Sequence, residues 1–535
     1  MKLLFIWPNK DSFGFKPISL SLLSAILKKK GHAVQAFDTT FIDFGFEGIS
    51  ETRSKIRIFK PVDFSGYDIR KKKVDFKKAL TEKLNDFKPD LVGVSALSDE
   101  VPIGLMASKY VKEWKSDVPV IWGNKAATMD PQVFLEDEHI DYVCRGEGIE
   151  FIIDFVDRIE KGADLFALKN LAFRKSDGRA QTNPLRPFFQ ELDSLPYYDW
   201  SIFDSRQFLK PFDGKVTIGG DHMIQWGCPN LCSYCINHAY MELYKGVGGK
   251  YIRRYSIDRI IDELKYLVKK WELNFFKYHD EDFCLKPLSY FEALAESYRE
   301  HVNVPFTCMA NAKSVTGEKV SLLKKMNCVS VSIGIETGNE TLRKQVLRRR
   351  ETKEEIIRAI RLLNEAGIRT SAFNMLGIPG ETRDTIMETI QLNRESEVRY
   401  PNTVFFYPLV GTDLWKKAID EYNFGSEKQA VFDDKEPSLR FENITKDELI
   451  ALRERFNLYV KMPEKFHKYI QRSEKNDDIG KRLTEQLFII YEEIVFQNDG
   501  VWKSKEEDDV ILEQLEKISR KNQDDLTPYI NPGLG

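Results

Sequence analysis

The first 150 residues alternate short apolar runs with longer amphipathic stretches. Leu3-Leu-Phe-Ile-Trp7, Ala33-Val-Gln-Ala-Phe-Asp38, Leu91-Val-Gly-Val-Ser95, Val118-Pro-Val-Ile-Trp-Gly123 and Tyr142-Val-Cys144 read as strands. Helices are predicted over Ser19–Lys30, about 102–116 and near 131–136, the first stopped by Gly31 with lysines in its last turn. Strands that are apolar throughout and separated by helices imply a parallel sheet covered on both faces. This is a doubly wound pattern, which binds ligands beyond the C-terminal ends of its strands.

A second strand-then-helix rhythm follows an irregular linker at Leu195-Pro-Tyr-Tyr-Asp-Trp200. Its strands are read at Met223-Ile-Gln-Trp226, Phe275–Asp280, Pro305–Ala310, Val329–Glu336, Thr370–Gly377 and Thr403–Pro408. Helices are expected at Ser256–Trp271, with Ser256 as N-cap, and at Lys353–Ala366, ended by Gly367. The last stretch is helical and highly charged, as in Lys446–Met462 and Gly480–Phe496; Asp499-Gly and Asn531-Pro-Gly read as loops. The fold class is therefore α/β. The expected division is 1–190 for the doubly wound domain, 195–425 for the strand–helix repeat and 426–535 for the helical region.

With 535 residues the chain is too long for one core. Apolar residues at 42% and charged residues at 30% describe a globular protein. A net charge of −3 gives no global field to recruit nucleic acid or a membrane. No stretch approaches the ~20 apolar residues needed to span a bilayer, and the opening apolar run is too short for a signal-peptide core. The expected location is the cytoplasm. The lysine- and arginine-rich run from Arg53 to Lys78 and the triplet Arg348-Arg-Arg read as solvated segments.

Seven cysteines are too sparse, and odd in number, for a disulfide framework. Three of them form a loop of their own, Trp226-Gly-Cys-Pro-Asn-Leu-Cys-Ser-Tyr-Cys-Ile236. Cys228, Cys232 and Cys235 offer three thiolates, one fewer than an iron–sulfur cube takes. Zinc would want a fourth ligand, for which His238 is the nearest candidate; three buried structural cysteines is the remaining alternative. The Cys-x3-Cys-x2-Cys loop with Tyr234 resembles the signature of the radical S-adenosylmethionine (SAM) enzymes. In them the open iron of a [4Fe-4S] cluster chelates SAM. The six strand–helix units then match the partial (β/α)6 barrel of that family, whose chemistry sits at the C-terminal strand ends.

The first region resembles the cobalamin-binding domain of the cobalamin-dependent radical SAM family. The matching pieces run from Pro17 to Leu27 and on to Gly31-His-Ala-Val34, with Val92-Gly-Val-Ser95, Val120-Ile-Trp-Gly123 and Arg145-Gly-Glu-Gly148. The resemblance places the corrin tail near Ser95, Gly123 and Glu147. The Asp-x-His-x-x-Gly motif is absent and Pro8–Pro17 holds no histidine, which implies cobalamin in its histidine-off form. Trp122-Gly-Asn-Lys125 departs from the family's Gly-Gly followed by His.

For SAM the resemblance points to Asp280 and Asp282 of Asp280-Glu-Asp-Phe, with helix capping as the equal alternative. It points also to Glu336 in Gly334-Ile-Glu-Thr-Gly, and to Asn374, Gly377, Ile378 and Pro379 in Asn374-Met-Leu-Gly-Ile-Pro-Gly-Glu381. Tyr407, Tyr234 and Ile236 complete the set, and Glu381 is expected to start the next helix. Cys144, Cys284, Cys308 and Cys328 read as buried hydrophobes, with Cys284 the one to watch for access to the reaction chamber. His279 reads as a hydrogen-bonded structural histidine.

The implied activity is methyl transfer to an unactivated carbon or phosphorus centre, through a 5′-deoxyadenosyl radical and methylcobalamin. The rival enzyme reading is ring formation, rearrangement or oxidation without methyl transfer. A methylthiotransferase would need a second cysteine-bound cluster. From another class, a non-catalytic cobalamin or cluster carrier or sensor would not need the SAM motifs. The implied partners are a small-molecule, peptide or protein substrate and an electron donor such as a flavodoxin or ferredoxin.

Overall fold

The computed structural model describes residues 1–10, 13–45, 49–422, 424–425, 435–503 and 508–520; the expected loop at Asn531 lies outside them. Strands β1 (Lys2–Trp7), β2 (Ala33–Asp38), β3 (Leu91–Val94), β4 (Val120–Trp122) and β5 (Tyr142–Cys144) are parallel, in the order β2-β1-β3-β4-β5. Their unbroken apolar runs are explained by burial on both faces. Leu3 and Phe5 meet Leu22, Ile26, Phe151 and Phe155 from helices Ile18–Lys29 and Ile149–Lys161. Leu4 and Ile6 meet Leu80, Leu84, Ala107 and Val111 from helices Phe76–Phe87 and Val101–Trp114. Strand order reverses between β1 and β3, the switch point of a doubly wound sheet.

Two antiparallel strands, β6 (Leu171–Arg174) and β7 (Ala180–Thr182), extend the sheet beyond the expected five. The helix expected near 131–136 is preceded by a second short one. Lys125–Met129 and Pro131–Leu135 are capped by the side chains of Asn124 and Asp130.

The second sheet begins earlier than expected. Strand β8 (Leu209–Phe212) pairs antiparallel with β9 (Lys215–His222), and β9 is the first parallel strand of the barrel. Met223–Trp226 is not that strand. Its last two residues form a two-stranded ribbon, β10 (Gln225–Trp226) with β11 (Arg253–Arg254). Strands β12 (Phe275–Tyr278), β13 (Phe306–Ala310), β14 (Cys328–Glu336), β15 (Arg369–Leu376) and β16 (Tyr400–Phe405) follow in parallel, in the order β16-β15-β14-β13-β12-β9-β8. Six parallel strands in sequential order make the partial barrel.

Helices Ile257–Trp271, Leu288–His301, Gly317–Lys325, Lys353–Glu365 and Arg383–Glu395 stand between these strands in the chain. Ser256, Thr316, Thr352 and Thr382 cap four of them. At the N-terminal ends of the strands Phe212 lies 5.0 Å from Phe275, and the Arg369 guanidinium sits over Phe212 (4.9 Å) and Tyr400 (3.9 Å). This closes the barrel floor.

Helices Lys446–Lys461, His467–Ser473, Asp478–Tyr491 and Asp508–Arg520 share one core with Leu376, Ile386, Ile390 and Phe405 of the barrel. The segment after β2 links this helical group to the barrel edge. Lys60 lies against Gly214 in the β8–β9 turn, Arg57 pairs with Glu492 at 2.5 Å, and Asn457 donates to the Arg57 carbonyl at 3.0 Å. No described helix is long and apolar enough to cross a membrane.

Candidate active site

The three-cysteine loop leaves the β10–β11 ribbon at Gly227. Its φ is +88°, and a Cβ there would lie 2.5 Å from the Tyr251 carbonyl oxygen, so only glycine makes this turn. Backbone bonds then fix the loop to the barrel. Ser233 N donates to Leu347 O (3.1 Å), Ser233 Oγ to Val346 O (2.5 Å) and Leu414 N to Ser233 O (3.1 Å). Helix Ile236–Leu243 starts directly after Cys235.

All three thiols are free and largely buried. Burial pushes Cys228 up to about 11 and Cys232 up to about 12, and raises Cys235 as well. Such thiols stay protonated until a metal displaces the proton. A tetrahedral zinc ion holds sulfurs roughly 3.8 Å apart. Among the described residues, only His32, Asp157 and Glu160 bring three ligand atoms all within 4.8 Å of one another. The sulfurs of Cys228, Cys232 and Cys235 are not all within 4.8 Å of one another. His238 does not join them; its ring faces Glu242 and Asp413.

Above the loop a buried charge network joins the ends of three elements. Tyr234 donates to Glu336 Oε1 (3.2 Å). Arg349 donates to Tyr234 Oη (3.0 Å), Glu336 Oε1 (3.3 Å), Gly334 O (2.8 Å) and Glu351 Oε1 (3.0 Å). Desolvation raises the Glu336 carboxyl and the Tyr234 phenol, while the Arg349 guanidinium opposes both shifts. Glu336 sits at a break in the β14–β15 register with φ +62°. That conformation is strained in a non-glycine residue. A Cβ on Gly334 beside it would lie 2.5 Å from Glu336 Oε1 and push that carboxylate aside. Arg349 and Glu351 were not singled out in the sequence. The signal was the acid two residues past an arginine inside an otherwise solvated-looking triplet.

Tyr234, Met375, Ile378, Phe406 and Tyr407 share one apolar cluster. Ile378 and Pro379 are buried, and Gly377 turns with φ +78°. Glu381 does not start the next helix, whose N-cap is Thr382; it folds back to accept from Gly377 N, and burial lifts it to about 8. Ile236 is buried in the first turn after the cysteines. Asn374 is not brought to this slot. Its amide exchanges hydrogen bonds with Asn393 on helix Arg383–Glu395 (2.8 and 3.2 Å), on the outer face of β15.

The acidic motif after β12 divides differently from expectation. Asp280 is fully buried, accepts from Ile224 N and Gln225 N (2.9 Å each) and pairs with Lys286 at 2.7 Å. Asp282 caps the next turn through Cys284 N (3.1 Å) and accepts from Ser314 Oγ (2.7 Å). Both carboxylates hold the fold. Glu281 between them is the acid that faces the loop, close enough to raise Cys228, Cys235 and Tyr251. Cys284 is fully buried in the core and does not reach a chamber. His279 Nε2 donates to Asp221 Oδ1 at 2.8 Å, a structural pairing.

At the first sheet Ser95, Gly123 and Glu147 follow β3, β4 and β5. Ser95 N and Gly123 N donate to Ile6 O and Val94 O, and a Cβ on Gly123 would meet only Cys144 at 3.7 Å. That edge has room for a bulky ligand. Glu147 is engaged elsewhere: Arg253 of β11 grips both its oxygens (2.7 and 3.0 Å) and Phe189 N donates to it (2.9 Å). It ties the first sheet to the ribbon that carries the cysteines. The two strand-end edges face each other. Lys125 is close enough to lower Cys235, Asp99 to raise Tyr407, and a Cβ on Gly411 would lie 2.9 Å from Met129 Sδ.

Residues 13–154 match the B12 binding domain family, and residues 224–392 match the Radical SAM superfamily. The chain belongs to the cobalamin-dependent radical SAM enzymes. This family's cofactors are a [4Fe-4S] cluster, SAM and cobalamin. The cobalamin-dependent radical SAM enzyme OxsB, solved with aqua-cobalamin and SAM, has the same fold. It has a TM-score of 0.61 at 13% identity, over 97% of this chain and 75% of that one. The anaerobic magnesium-protoporphyrin IX monomethyl ester cyclase of Rubrivivax gelatinosus is 25% identical over 434 residues, 79% of this chain and 70% of the cyclase. Cytidylyl-2-hydroxyethylphosphonate methyltransferase of Streptomyces wedmorensis is 21% identical over 440 residues, 75% and 78% of the two chains.

Proposed function

We propose that this radical SAM enzyme transfers a methyl group to an unactivated carbon or phosphorus centre. The observation that carries the reading is the juxtaposition of Lys125 with Cys235 and Met129 with Gly411. It sets the open edge of the cobalamin-domain sheet against the cysteine loop across one chamber. A carrier or sensor would not need the Tyr234–Glu336–Arg349 network beside its cluster loop.

When bound, the cofactors supply an electron, a carbon radical and a methyl carrier; the residues supply position. Cys228, Cys232 and Cys235 are the cluster ligands, and a flavodoxin- or ferredoxin-like donor is the external reductant. Glu281 and Glu336 would receive SAM's ammonium and ribose hydroxyls, with Arg349 opposing the desolvation that raises Glu336. Ile378, Pro379 and Tyr407 would press on the adenine, and Gly377 gives the backbone approach. The buried walls exclude water from the radical steps. Ser95 and Gly123 would line the corrin tail.

Anaerobic reconstitution with iron, sulfide, hydroxocobalamin, SAM and reductant tests this, with nucleosides read by mass spectrometry. 5′-Deoxyadenosine together with S-adenosylhomocysteine supports methyl transfer. Deoxyadenosine alone supports ring formation or oxidation, the reading favoured by similarity to a cyclase. Neither product, with the cluster intact, sinks both.

A further inference from the structure

The barrel lumen has a cationic pole that the cluster loop and the SAM residues leave unexplained. Phe276 and Tyr278 pack outward, Tyr278 at 5.2 Å from Phe283 and both within the core that holds Phe291 and Tyr298. Lys277 between them therefore points inward, in register with Asp221 on β9 and Thr307 on β13. It stands one layer above the floor made by Phe212, Phe275, Arg369 and Tyr400. Lys277 keeps solvent access, yet desolvation by the surrounding protein lowers its pKa, Lys210 and Arg53 lower it further, and Asp221 opposes them only in part. A side chain that is both solvated and enclosed lines an internal chamber.

The charge around it does not balance. Asp221 is already saturated: Lys210 Nζ at 2.8 Å, Lys16 Nζ at 3.2 Å and His279 Nε2 at 2.8 Å all reach it. Lys277 makes no hydrogen bond or ion pair among the described residues. Lys16, Lys210 and His279 thus crowd one carboxylate, and Lys277 stands beside them without a hydrogen-bonded partner among the described residues. An enclosed ammonium without a counter-ion is unfavourable, and an anion at contact distance relieves that. Hydroxyls share the same inner face: Thr307 beside Lys277, Ser330 beside Thr307, and Ser332 hydrogen-bonded to Ser371 at 2.6 Å. Ammonium plus hydroxyls is the donor set for an oxyanion.

We infer that Lys277 anchors an acidic group of the substrate, a carboxylate or a phosphate-type group. The anchored end lies deep in the barrel and the reacting atom is held up at the strand ends beside the cysteine loop. The placement of substrate in the lumen rests on the radical SAM reading above; the anion site itself does not.

The test uses the full chain without iron, SAM or cobalamin, so its failure leaves the proposed function standing, and failure to methylate leaves it standing in turn. An amine-acylating reagent is applied in sodium chloride, sodium phosphate or sodium propionate at matched ionic strength, and Lys277 modification is read by peptide mass spectrometry. Lys277 is expected to react in chloride. Phosphate or propionate should slow it about tenfold at roughly ten times the anion's dissociation constant. Protection by phosphate alone assigns a phosphate-type group, and protection by propionate assigns a carboxylate. In parallel, the stabilising anion should raise the melting temperature of the native chain and of Lys277→Arg but not of Lys277→Gln. An unreactive Lys277, protection no greater than in chloride, or an undiminished anion shift in Lys277→Gln overturns the proposal.

Discussion

The two parallel sheets of this chain are built by the same strand-then-helix rhythm, yet one is solid and the other hollow. In β1 the run Leu3–Trp7 is buried residue by residue, because helices cover both faces. In β14 and β15 buried and half-buried positions alternate, as in Val331-Ser-Ile-Gly-Ile-Glu336, because helices cover one face and the lumen the other. The solid sheet offers its ligand an edge with open room at Gly123. The hollow one offers charge held by charge: Arg349 between Glu336 and Glu351, and Asp221 among two lysines and a histidine. The lesson is that a period-2 pattern inside an otherwise parallel-sheet reading marks the strand face on which chemistry can be placed.

The sharpest break between the two halves comes from the cysteines. Replacing Cys228, Cys232 or Cys235 with alanine should abolish bound iron and lower SAM cleavage at least ~10³-fold, while cobalamin affinity changes by less than about twofold. A joint loss would show that the halves do not act separately.

Arg349→Met strikes the charged barrel end alone. It leaves Glu336 and Glu351 buried without their cation, and unfolding free energy in urea should drop by about 3–5 kcal/mol, with Arg349→Lys falling less. Glu381 gives the same region a pH signature. Its folded value of about 8 lies above the ordinary 4.5, so the folded state holds the extra proton between those values. Stability should therefore fall, by a few kcal/mol in all, as pH rises from about 5 to about 8; Glu381→Gln should flatten that slope.

The link between the halves is weaker. Arg253→Ala should cost about 1–3 kcal/mol by leaving Glu147 partly buried and unpaired, seen as a lower melting temperature. Smallest is Gly334→Ala, whose added methyl pushes Glu336 aside. The KM for SAM should rise about tenfold, roughly 1.4 kcal/mol, with the fold intact.

Much of this architecture was legible because apolar runs and caps are local. The five parallel strands of the first sheet and the later five of the barrel lie at or close to their expected places. The first barrel strand was not legible. Lys215-Val-Thr-Ile-Gly-Gly-Asp-His222 has charged ends and two glycines, and those glycines exist for long-range reasons: a Cβ on Gly219 would strike Lys210 and one on Gly220 would strike Trp200. The cysteine loop stood out by its spacing, and Glu336 entered only through the family resemblance. Arg349, Glu281 and the Glu147–Arg253 clamp could not be read, because exposed and buried charges look alike until the fold pairs them. Asp280, Asp282 and Asn374 are held by backbone amides, Lys286, Ser314 and Asn393, since polar residues at strand ends also serve the backbone and neighbouring helices.

Asp221 carries a consequence for how the molecule comes apart. Its carboxylate accepts from Lys16 N of the first region at 3.1 Å, and Lys16 Nζ is itself held by Gln207 O and Gly219 O. Lys16 is wholly buried, and burial draws its ammonium down to about 7. Pulling the two sheets apart would strip Lys16 of every partner at once, while Asp221 would keep Lys210 and His279 within the second sheet. A buried ammonium left bare opposes any hinge opening between the sheets, and they should melt as one cooperative unit.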